Sequence, residues 1–232
     1  IIRDGKIADQ AVHGVRRNDQ PGAATSDDLW LLGSTSKVMT VALIARLVEQ
    51  GALSWDAPLK AMLPELAESM DPAYREVTLV ELLSHRAGLP ENPRDRAFVE
   101  SFFVDQRALP AQRLAFVRGA LKEAPEVVPG TQFVYSNSGF LIAGVIAERI
   151  GKDSFEALMR REVFAPLGMR SAGFGPAPAG QPLGHRNGKP VTQAPTHYDD
   201  GVPPMYTPAG NMHMSLHDWA VFCLDQLAGA RG

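Results

Sequence analysis

The segment SKVMTVALIARLVEQ, residues 36–50, constrains the fold more than any other part of the chain, because it is apolar on almost every side. Its length, and the glycine that follows at position 51, predict an α-helix that ends near Gln50. Such a helix has to be covered by other elements on most of its sides. We therefore expect it to lie at the centre of the molecule, with Lys37 of its first turn in the interior.

The composition is that of a globular protein with a core large enough to surround such a helix. The chain has 232 residues, of which 45% are hydrophobic and 21% are charged. The formal net charge is -3, and lysine and arginine are scattered rather than clustered. We therefore expect neither nucleic acid nor an anionic membrane as a partner. No run approaches the roughly 18 apolar residues of a membrane span, so none is predicted.

The number and spacing of the cysteine and histidine residues do not indicate a metal site or a cofactor. A single cysteine, Cys223, excludes an internal disulfide, and its apolar surroundings in WAVFCLDQLAG favour a small buried side chain. His213 and His217 have a spacing that can hold a metal on a helix. However, Ser215 with Asp218 three residues later is typical of a helix N-cap, so the two histidines flank a helix start. We predict no metal site and no cofactor.

The order of patterns along the chain predicts a sheet edge followed by a mainly helical region. Asp4-Gly5 is a turn signal, and it predicts an antiparallel hairpin between residues 1–2 and 6–15. The later segment TQFVYS, residues 131–136, has the character of a strand. Helices after the central one are predicted at 79–84, 97–104, 111–123, 140–150, 155–164 and 216–227.

Two segments rich in proline and glycine, 174–190 and 201–210, predict long loops. Loops of this length either border a binding site or simply cross the surface. His185, His197 and Tyr198 fall in turn-rich sequence, where we expect them to be solvated.

Ser34 and Lys37 lie one helical turn apart at the predicted helix start, so their side chains can reach each other. Burial lowers the pKa of a lysine, so Lys37 can accept the proton of the Ser34 hydroxyl as the hydroxyl attacks a substrate. The alternative is that Ser34 caps the helix and Lys37 extends its ammonium group to the surface. None of the other five lysines has a serine three residues before it. The position at a strand-to-helix turn favours acyl transfer through a serine ester.

Tyr135 and Asn137, in PGTQFVYSNSGF, form a second candidate pair. Side chains two residues apart on an extended segment share a face. A phenol next to a cationic lysine gives up its proton more readily, so Tyr135 can relay a proton to a leaving group. Asn137 can donate to a substrate amide or hold Lys37 in place. The alternative is that Tyr135 packs in a half-buried strand and Asn137 caps the helix that follows.

Four segments together carry a family resemblance: LLGSTSKVMT, LVELLSHRAGLPE, VPGTQFVYSNSGFLIAGVIAERIGKDSFEALMRREVFAPLGM and TPAGNMHMSLHDWAVFCLDQL. In order and spacing they resemble the serine β-lactamase and penicillin-binding-protein superfamily, and most closely its branch of class C β-lactamases, D-Ala-D-Ala carboxypeptidases and related esterases. The resemblance implies an α/β (α+β) fold of the β-lactamase/transpeptidase type. An antiparallel sheet lobe (strands and lead-in, residues 1–34) would stand beside the central helix (35–50) and a mainly helical lobe (51–232).

By this resemblance, Ser34 corresponds to the acylated nucleophile and Lys37 to the lysine of the SxxK motif. Tyr135 and Asn137 match the YxN motif. Lys37 and Tyr135 are implied as a coupled pair, either member of which can be the base.

Two further positions are implied to line the substrate cleft, Tyr206 and Asn211, which flank TPAG, although loop packing explains them equally well. The segment SHRAGLP departs from the family's usual His-Thr-Ser-Gly-Leu at Arg86 and Ala87. AGNMHMS departs from the usual Ala-Gly-Gly-Leu at Asn211. These departures affect the expected substrate contacts more than the expected chemistry.

The resemblance implies a small-molecule or peptide substrate, either a β-lactam or a D-Ala-D-Ala peptide. An esterase acting on small carboxylic esters, or a penicillin-recognising module with little or no turnover, are the alternatives. The family's periplasmic or secreted location would apply if a signal peptide precedes the chain. The sequence predicts neither the location nor the oligomeric state.

The family's third motif, Lys-Thr-Gly or His-x-Gly, is expected on a strand after the helix that ends near Leu227, and it does not occur before Gly232. In relatives that strand supplies a second oxyanion donor, and the loss of one donor typically costs on the order of a hundred- to a thousandfold in rate. We therefore expect a single domain, 1–232, that lacks the C-terminal sheet strands and turns over substrate poorly.

Overall fold

The computed structural model describes residues 1–191, 195–197 and 201–230. The α-helices are α1 (Ser36–Glu49), α2 (Leu59–Met62), α3 (Leu79–Leu83), α4 (Arg96–Ser101), α5 (Leu109–Ala120), α6 (Asn137–Gly151), α7 (Phe155–Met159), α8 (Thr207–Gly210) and α9 (Leu216–Gly229). Single 3-10 turns occur at Gly33–Thr35, Pro64–Leu66, Pro72–Tyr74 and Pro204–Tyr206, and a π-helical turn at Arg160–Phe164. The strands are β1 (Ile2–Arg3), β2 (Lys6–Ile7), β3 (Trp30–Leu31), β4 (Gly173–Phe174), β5 (His185–Arg186), β6 (Lys189–Pro190) and β7 (Met212–Met214).

Helix α1 lies at the centre of the helical part, as its all-round apolar sequence predicts. Met39, Leu43 and Ile44 are fully buried, and the helix packs against α6, α7 and α8. Only 5% of Lys37 is exposed. The predicted burial of this lysine is therefore confirmed.

Helix α6 is the second core helix, and its first eleven residues are all buried. It packs against α1, α3, α5, α7 and α8. Gly144 lets α8 approach, because a Cβ at this position would lie 2.5 Å from Cγ of Pro208. This close contact fixes α8, and with it the carbonyl groups at the C-terminal end of α8, against the core.

A buried ion-pair cluster joins α5, α6 and α7. The guanidinium of Arg113, which is fully buried, lies 2.5 Å from Oε1 of Glu148 and 2.9 Å from Oε2 of Glu156. Oε1 of Glu148 also accepts the backbone N–H of Phe155. Pairing and hydrogen bonding offset the desolvation cost of these three charges, so the cluster is stable only while all of them are present.

The largest sheet is antiparallel, with the strand order β3-β7-β4. Trp30 pairs with Met214, and Leu31 and Gly173 both pair with His213. The two remaining hairpins, β1-β2 and β5-β6, are separate from it. The mixture of helices with antiparallel strands agrees with the predicted fold class.

Two strand predictions are wrong. The first hairpin was predicted to reach residue 15, but its strands pair only as far as Ile7. The chain then enters a loop, and Val15 forms an isolated bridge with Ala23 instead of pairing with the first strand. Segment 131–136 is not a strand. Its backbone instead pairs with an irregular segment, since the N–H of Val134 donates to the carbonyl of His85.

The other predicted helices are present, with ends that differ by a few residues; the predicted helix 155–164 is α7 followed by the π-helical turn. The strands β4 to β7 were not predicted. His185 is exposed in β5, whereas Tyr198 lies outside the described residues. Within residues 1–191, 195–197 and 201–230, no helix is long and apolar enough to cross a membrane.

Candidate active site

Ser34 lies at the turn that joins the sheet to the central helix. The chain leaves β3, reverses at Gly33 with φ +54° and forms the 3-10 turn that leads into α1. Glycine adopts this left-handed conformation without the steric cost that other residues meet. Ser34 is exposed, whereas Lys37, one turn later, is buried. The predicted strand-to-helix turn is therefore present, with a hydroxyl at the surface and an amine beneath it.

The amino group of Lys37 has three hydrogen-bond partners. It lies 2.6 Å from the carbonyl oxygen of Ala209, 2.8 Å from Oδ1 of Asn137 and 3.2 Å from Oγ of Ser34. The carbonyl and amide oxygens can only accept, so each takes an N–H in either protonation state of the lysine. A neutral amine has two N–H groups and one lone pair. The lone pair is then left for the serine hydroxyl.

Burial lowers the pKa of Lys37, because desolvation disfavours the ammonium form. The neighbouring Tyr135, and then the charge of Glu91, act in the opposite direction. The amino group also lies 4.8 Å from the centre of the Tyr135 ring, a contact that favours the cation. The net shift increases the fraction of neutral amine near neutral pH.

Tyr135 approaches Ser34 from the other side. Its hydroxyl lies 2.7 Å from Oγ of Ser34 and donates to it, and 37% of the tyrosine is exposed. Ser34 is thus within hydrogen-bond distance of both Lys37 and Tyr135. A proton can move between these groups without a water molecule, so they act as one coupled unit.

Asn137 is the first residue of α6, and it holds Lys37. Its Nδ2 lies 3.4 Å from Oε1 of Glu91 and 3.4 Å from Oδ1 of Asn92. These acceptors orient the amide so that Oδ1 faces the lysine. The alternative that Asn137 caps α6 is wrong, because the side chain of Ser136 accepts the N–H of Gly139 and is the N-cap.

The carbonyl of Ala209 belongs to the last turn of α8, where carbonyl groups lack helical partners and accept other donors. Thr40 of α1 fixes this helix by donating to the carbonyl of Pro208 at 2.7 Å. The Ala209 contact was not predicted, since 172 residues separate it from Lys37.

Tyr206 and Asn211 lie directly before and after α8. Tyr206 is buried, and its hydroxyl donates to Oδ1 of Asn92, the same oxygen that faces the Asn137 amide. Asn211 follows Gly210, where a Cβ would lie 3.4 Å from the carbonyl of Gly33. Their predicted contact with substrate stays a prediction.

His85 is a part of the site for which the sequence analysis predicts no role. Its ring stacks on Tyr135 with centroids 4.6 Å apart, and its Nδ1 accepts the N–H of Ser136 at 3.0 Å. Burial, and then the charge of Lys37, lower the pKa of His85, which favours the neutral ring that can accept. Its segment, SHRAGLP, belongs to the resemblance, but nothing in the sequence indicates the stacking.

The family model described as Beta-lactamase matches residues 1–232. The chain belongs to the beta-lactamase family. The predicted superfamily and its class C branch are therefore confirmed.

Among relatives in the beta-lactamase family, the chain is 31% identical to the D-alanyl-D-alanine-carboxypeptidase/endopeptidase AmpH of Escherichia coli K12, over 77% of this chain and 45% of that protein. It is 28% identical to Esterase EstB of Burkholderia gladioli, over 87% of this chain and 52% of the esterase. A class C beta lactamase from Rhodobacter sphaeroides superposes with TM-score 0.67 at 27% identity, covering 90% of this chain and 54% of the other. The chain thus spans about half the length of these relatives.

Proposed function

We propose that Ser34 is the nucleophile of a hydrolase that forms and then hydrolyses an acyl-enzyme. The observation that carries the proposal is the position of Oγ of Ser34, 3.2 Å from the amine of Lys37 and 2.7 Å from the hydroxyl of Tyr135. The serine is exposed, so a substrate carbonyl can reach it. A nucleophile within hydrogen-bond distance of a base, which is in turn held by other groups, is the arrangement that covalent catalysis needs.

Acylation begins when Oγ of Ser34 attacks the carbonyl carbon of the substrate. A C–O bond forms, the π electrons move to the carbonyl oxygen, and the hydroxyl proton passes to the pair formed by Lys37 and Tyr135. The backbone N–H of Ser34 is the donor that we propose for the resulting oxyanion. Collapse breaks the bond to the leaving oxygen or nitrogen, which takes the proton from the pair.

Deacylation repeats these steps with water. The pair accepts a proton from water as its oxygen attacks the ester carbonyl, and collapse releases the carboxylic acid. The proton then returns to Oγ of Ser34. Either Lys37 or Tyr135 can take the proton first, because both lie within hydrogen-bond distance of the same oxygen.

A β-lactam or a D-Ala-D-Ala peptide is the first proposed substrate class, supported by the similarity to the carboxypeptidase and the class C beta lactamase. Small carboxylic esters are the second class. The similarity to the esterase supports them, and so does an apolar cavity close to Ser34, described below.

Intact-mass measurement tests the proposal. The purified protein is exposed separately to a penicillin, to p-nitrophenyl acetate and to a fluorophosphonate, and the labelled residue is located in peptides. A penicillin adduct that persists indicates recognition without turnover, rapid release indicates a β-lactamase or carboxypeptidase, and labelling by the acetate and the fluorophosphonate alone indicates an esterase. Ser34→Ala should remove the label, whereas Ser101→Ala, at an exposed serine in α4, should keep it. If no probe labels Ser34, the assignment is wrong.

A further inference from the structure

A cavity of about 520 Å³ lies beside the candidate nucleophile, within the size range of about 300–1,000 Å³ typical of small-molecule sites. Gly210 and Asn211 line one part of it, and Gly210 packs against Gly33 and the backbone of Ser34. Leu31 of β3 and Phe103, which follows α4, line other parts. The cavity therefore lies between the sheet and the loops, and Gly210 separates it from the backbone of Ser34.

The described residues that line this cavity are almost all apolar. Its lining comes from the two proline- and glycine-rich loops, among others, and includes Pro176, Leu183 and Val202. None of the described residues that line it is charged, and Asn211 contributes the one polar side chain among them. Among these described residues an ionised group would find no charged partner to offset its lost hydration, whereas a hydrocarbon group would gain from leaving water.

The position of the cavity determines which part of a substrate can enter it. The leaving group takes its proton from Lys37 or Tyr135, so it has to face these two side chains. Neither of them, nor Asn137, lines the cavity. Gly210, which does line it, instead packs against the backbone of Gly33 and Ser34. The acyl group, which stays attached to Ser34 after the leaving group departs, is the part that faces it.

We propose that this cavity binds an uncharged, apolar acyl group, so that the chain prefers esters or amides of hydrophobic carboxylic acids over substrates with a charged acyl group. This inference rests on the proposed acylation of Ser34, and the reaction proceeds by the acylation and deacylation described above. Specificity resides in the loops and β3, while the reacting groups lie on α1, on the turn before it and on the segment that leads into α6.

A series of p-nitrophenyl esters tests this inference, because the leaving group stays constant while the acyl group changes. Acetate, butyrate, hexanoate and hemisuccinate are compared by the second-order rate at which Ser34 is acylated. Each methylene that enters the cavity should increase this rate about fourfold, from a burial free energy of about 0.8 kcal/mol. The hemisuccinate, which has a terminal carboxylate, should react at least about tenfold more slowly than the butyrate.

Two matched variants place a charge inside or outside the cavity. Leu31 lines it and is 56% exposed, so Leu31→Lys should fold. Val104 is 73% exposed and does not line the cavity, so Val104→Lys is the control. Leu31→Lys should bring the acylation rates with hexanoate and acetate close together, and should increase the acylation rate with hemisuccinate about tenfold. Val104→Lys should change none of these rates.

The outcomes separate the two proposals. If acetate labels Ser34 but the rates do not depend on acyl length or charge, or if the two lysine variants behave alike, the cavity proposal is wrong and the nucleophile stands. If none of the esters labels Ser34, both proposals are wrong.

Discussion

The helical core and the strand-bearing segments of this molecule are built very differently. Helix α6 buries eleven consecutive residues and α1 buries seven of its 14 residues, whereas the strands have only two or three residues each. Lys37 and Asn137 belong to the core helices, and the apolar cavity belongs mainly to the loops and β3. Groups that need a fixed geometry are thus held by a rigid framework, and groups that select a substrate lie on loops. Ser34 lies at the border of the two regions.

Replacing Lys37 tests whether the core supplies the chemistry. Lys37→Met keeps much of the volume but removes the amine, so acylation of Ser34 should fall by about 10⁴-fold, the upper range for loss of a general base. The rate of labelling by p-nitrophenyl acetate measures this, and circular dichroism checks the fold. Lys60→Met, at an exposed lysine paired with Glu76, is the control and should react normally. Unchanged labelling of Lys37→Met would reduce the lysine to a packing role.

Replacing Arg113 tests the rigidity of the same region. Arg113→Met leaves the carboxylates of Glu148 and Glu156 buried without their partner, and the free energy of unfolding should fall by about 3–5 kcal/mol. Urea denaturation measures this change. Arg46→Met removes an exposed ion pair with Glu49 and should cost less than about 1 kcal/mol. Equal losses in the two variants would show that the buried cluster is not a special feature of the core.

Removing the hydroxyl of Tyr135 separates the contribution of Tyr135 to proton transfer from that of Lys37 in the core. Tyr135→Phe keeps the ring that stacks on His85 but loses the bond to Ser34, so the acylation rate should fall by about 10²-fold. Burst kinetics with p-nitrophenyl acetate measure the rate. Tyr74→Phe removes a buried hydroxyl that has no partner among the described residues, and should leave the rate unchanged. A normal rate in Tyr135→Phe would assign the proton transfer to Lys37 alone.

The lowered pKa of His85 predicts a smaller effect, which is a change of the free energy of unfolding with pH. Its folded-state pKa lies below the ordinary 6.5, so the bond from the Ser136 N–H contributes fully above pH 6.5 and is lost as the pH falls through the lowered value. The loss should be about 1 kcal/mol. In His85→Asn, Oδ1 replaces the accepting nitrogen and asparagine tolerates the φ of +60°. Thermal unfolding of this variant should lack the acid-side loss, and a loss equal to the wild type's would contradict the assignment.

The sequence predicted those features that depend on local pattern. Helix α1 and the burial of Lys37 follow from one apolar segment, and the contact between Ser34 and Lys37 follows from helical spacing. The contact of Tyr135 with Ser34 and that of Ala209 with Lys37 join parts of the chain that are 101 and 172 residues apart, so local pattern alone contains no signal for them. The family resemblance implied the first contact but not the second. Segment 131–136 has the composition of a strand, but its backbone pairs with the irregular segment at His85. Whether such a segment forms a strand depends on the tertiary structure around it.

The loop region was less predictable for the same reason. Strands β4 and β7 are too short for an alternating pattern, and their pairing depends on the chain returning to β3. Proline- and glycine-rich sequence predicted the loops and a border with a binding site as one of two alternatives. The lining of the cavity comes from several separate segments, so neither its volume nor the apolar character of its described residues could be derived in advance.

The most direct test of the central claim is the pH dependence of Ser34 labelling by a fluorophosphonate, with the labelled residue located by peptide mass spectrometry. Because burial lowers the pKa of Lys37, the neutral amine forms below the ordinary lysine value of 10.5. The label should be on Ser34, and its rate should rise with pH through an apparent pKa clearly below 10.5. A label on another residue, or a rate that rises only near 10.5, would contradict the account.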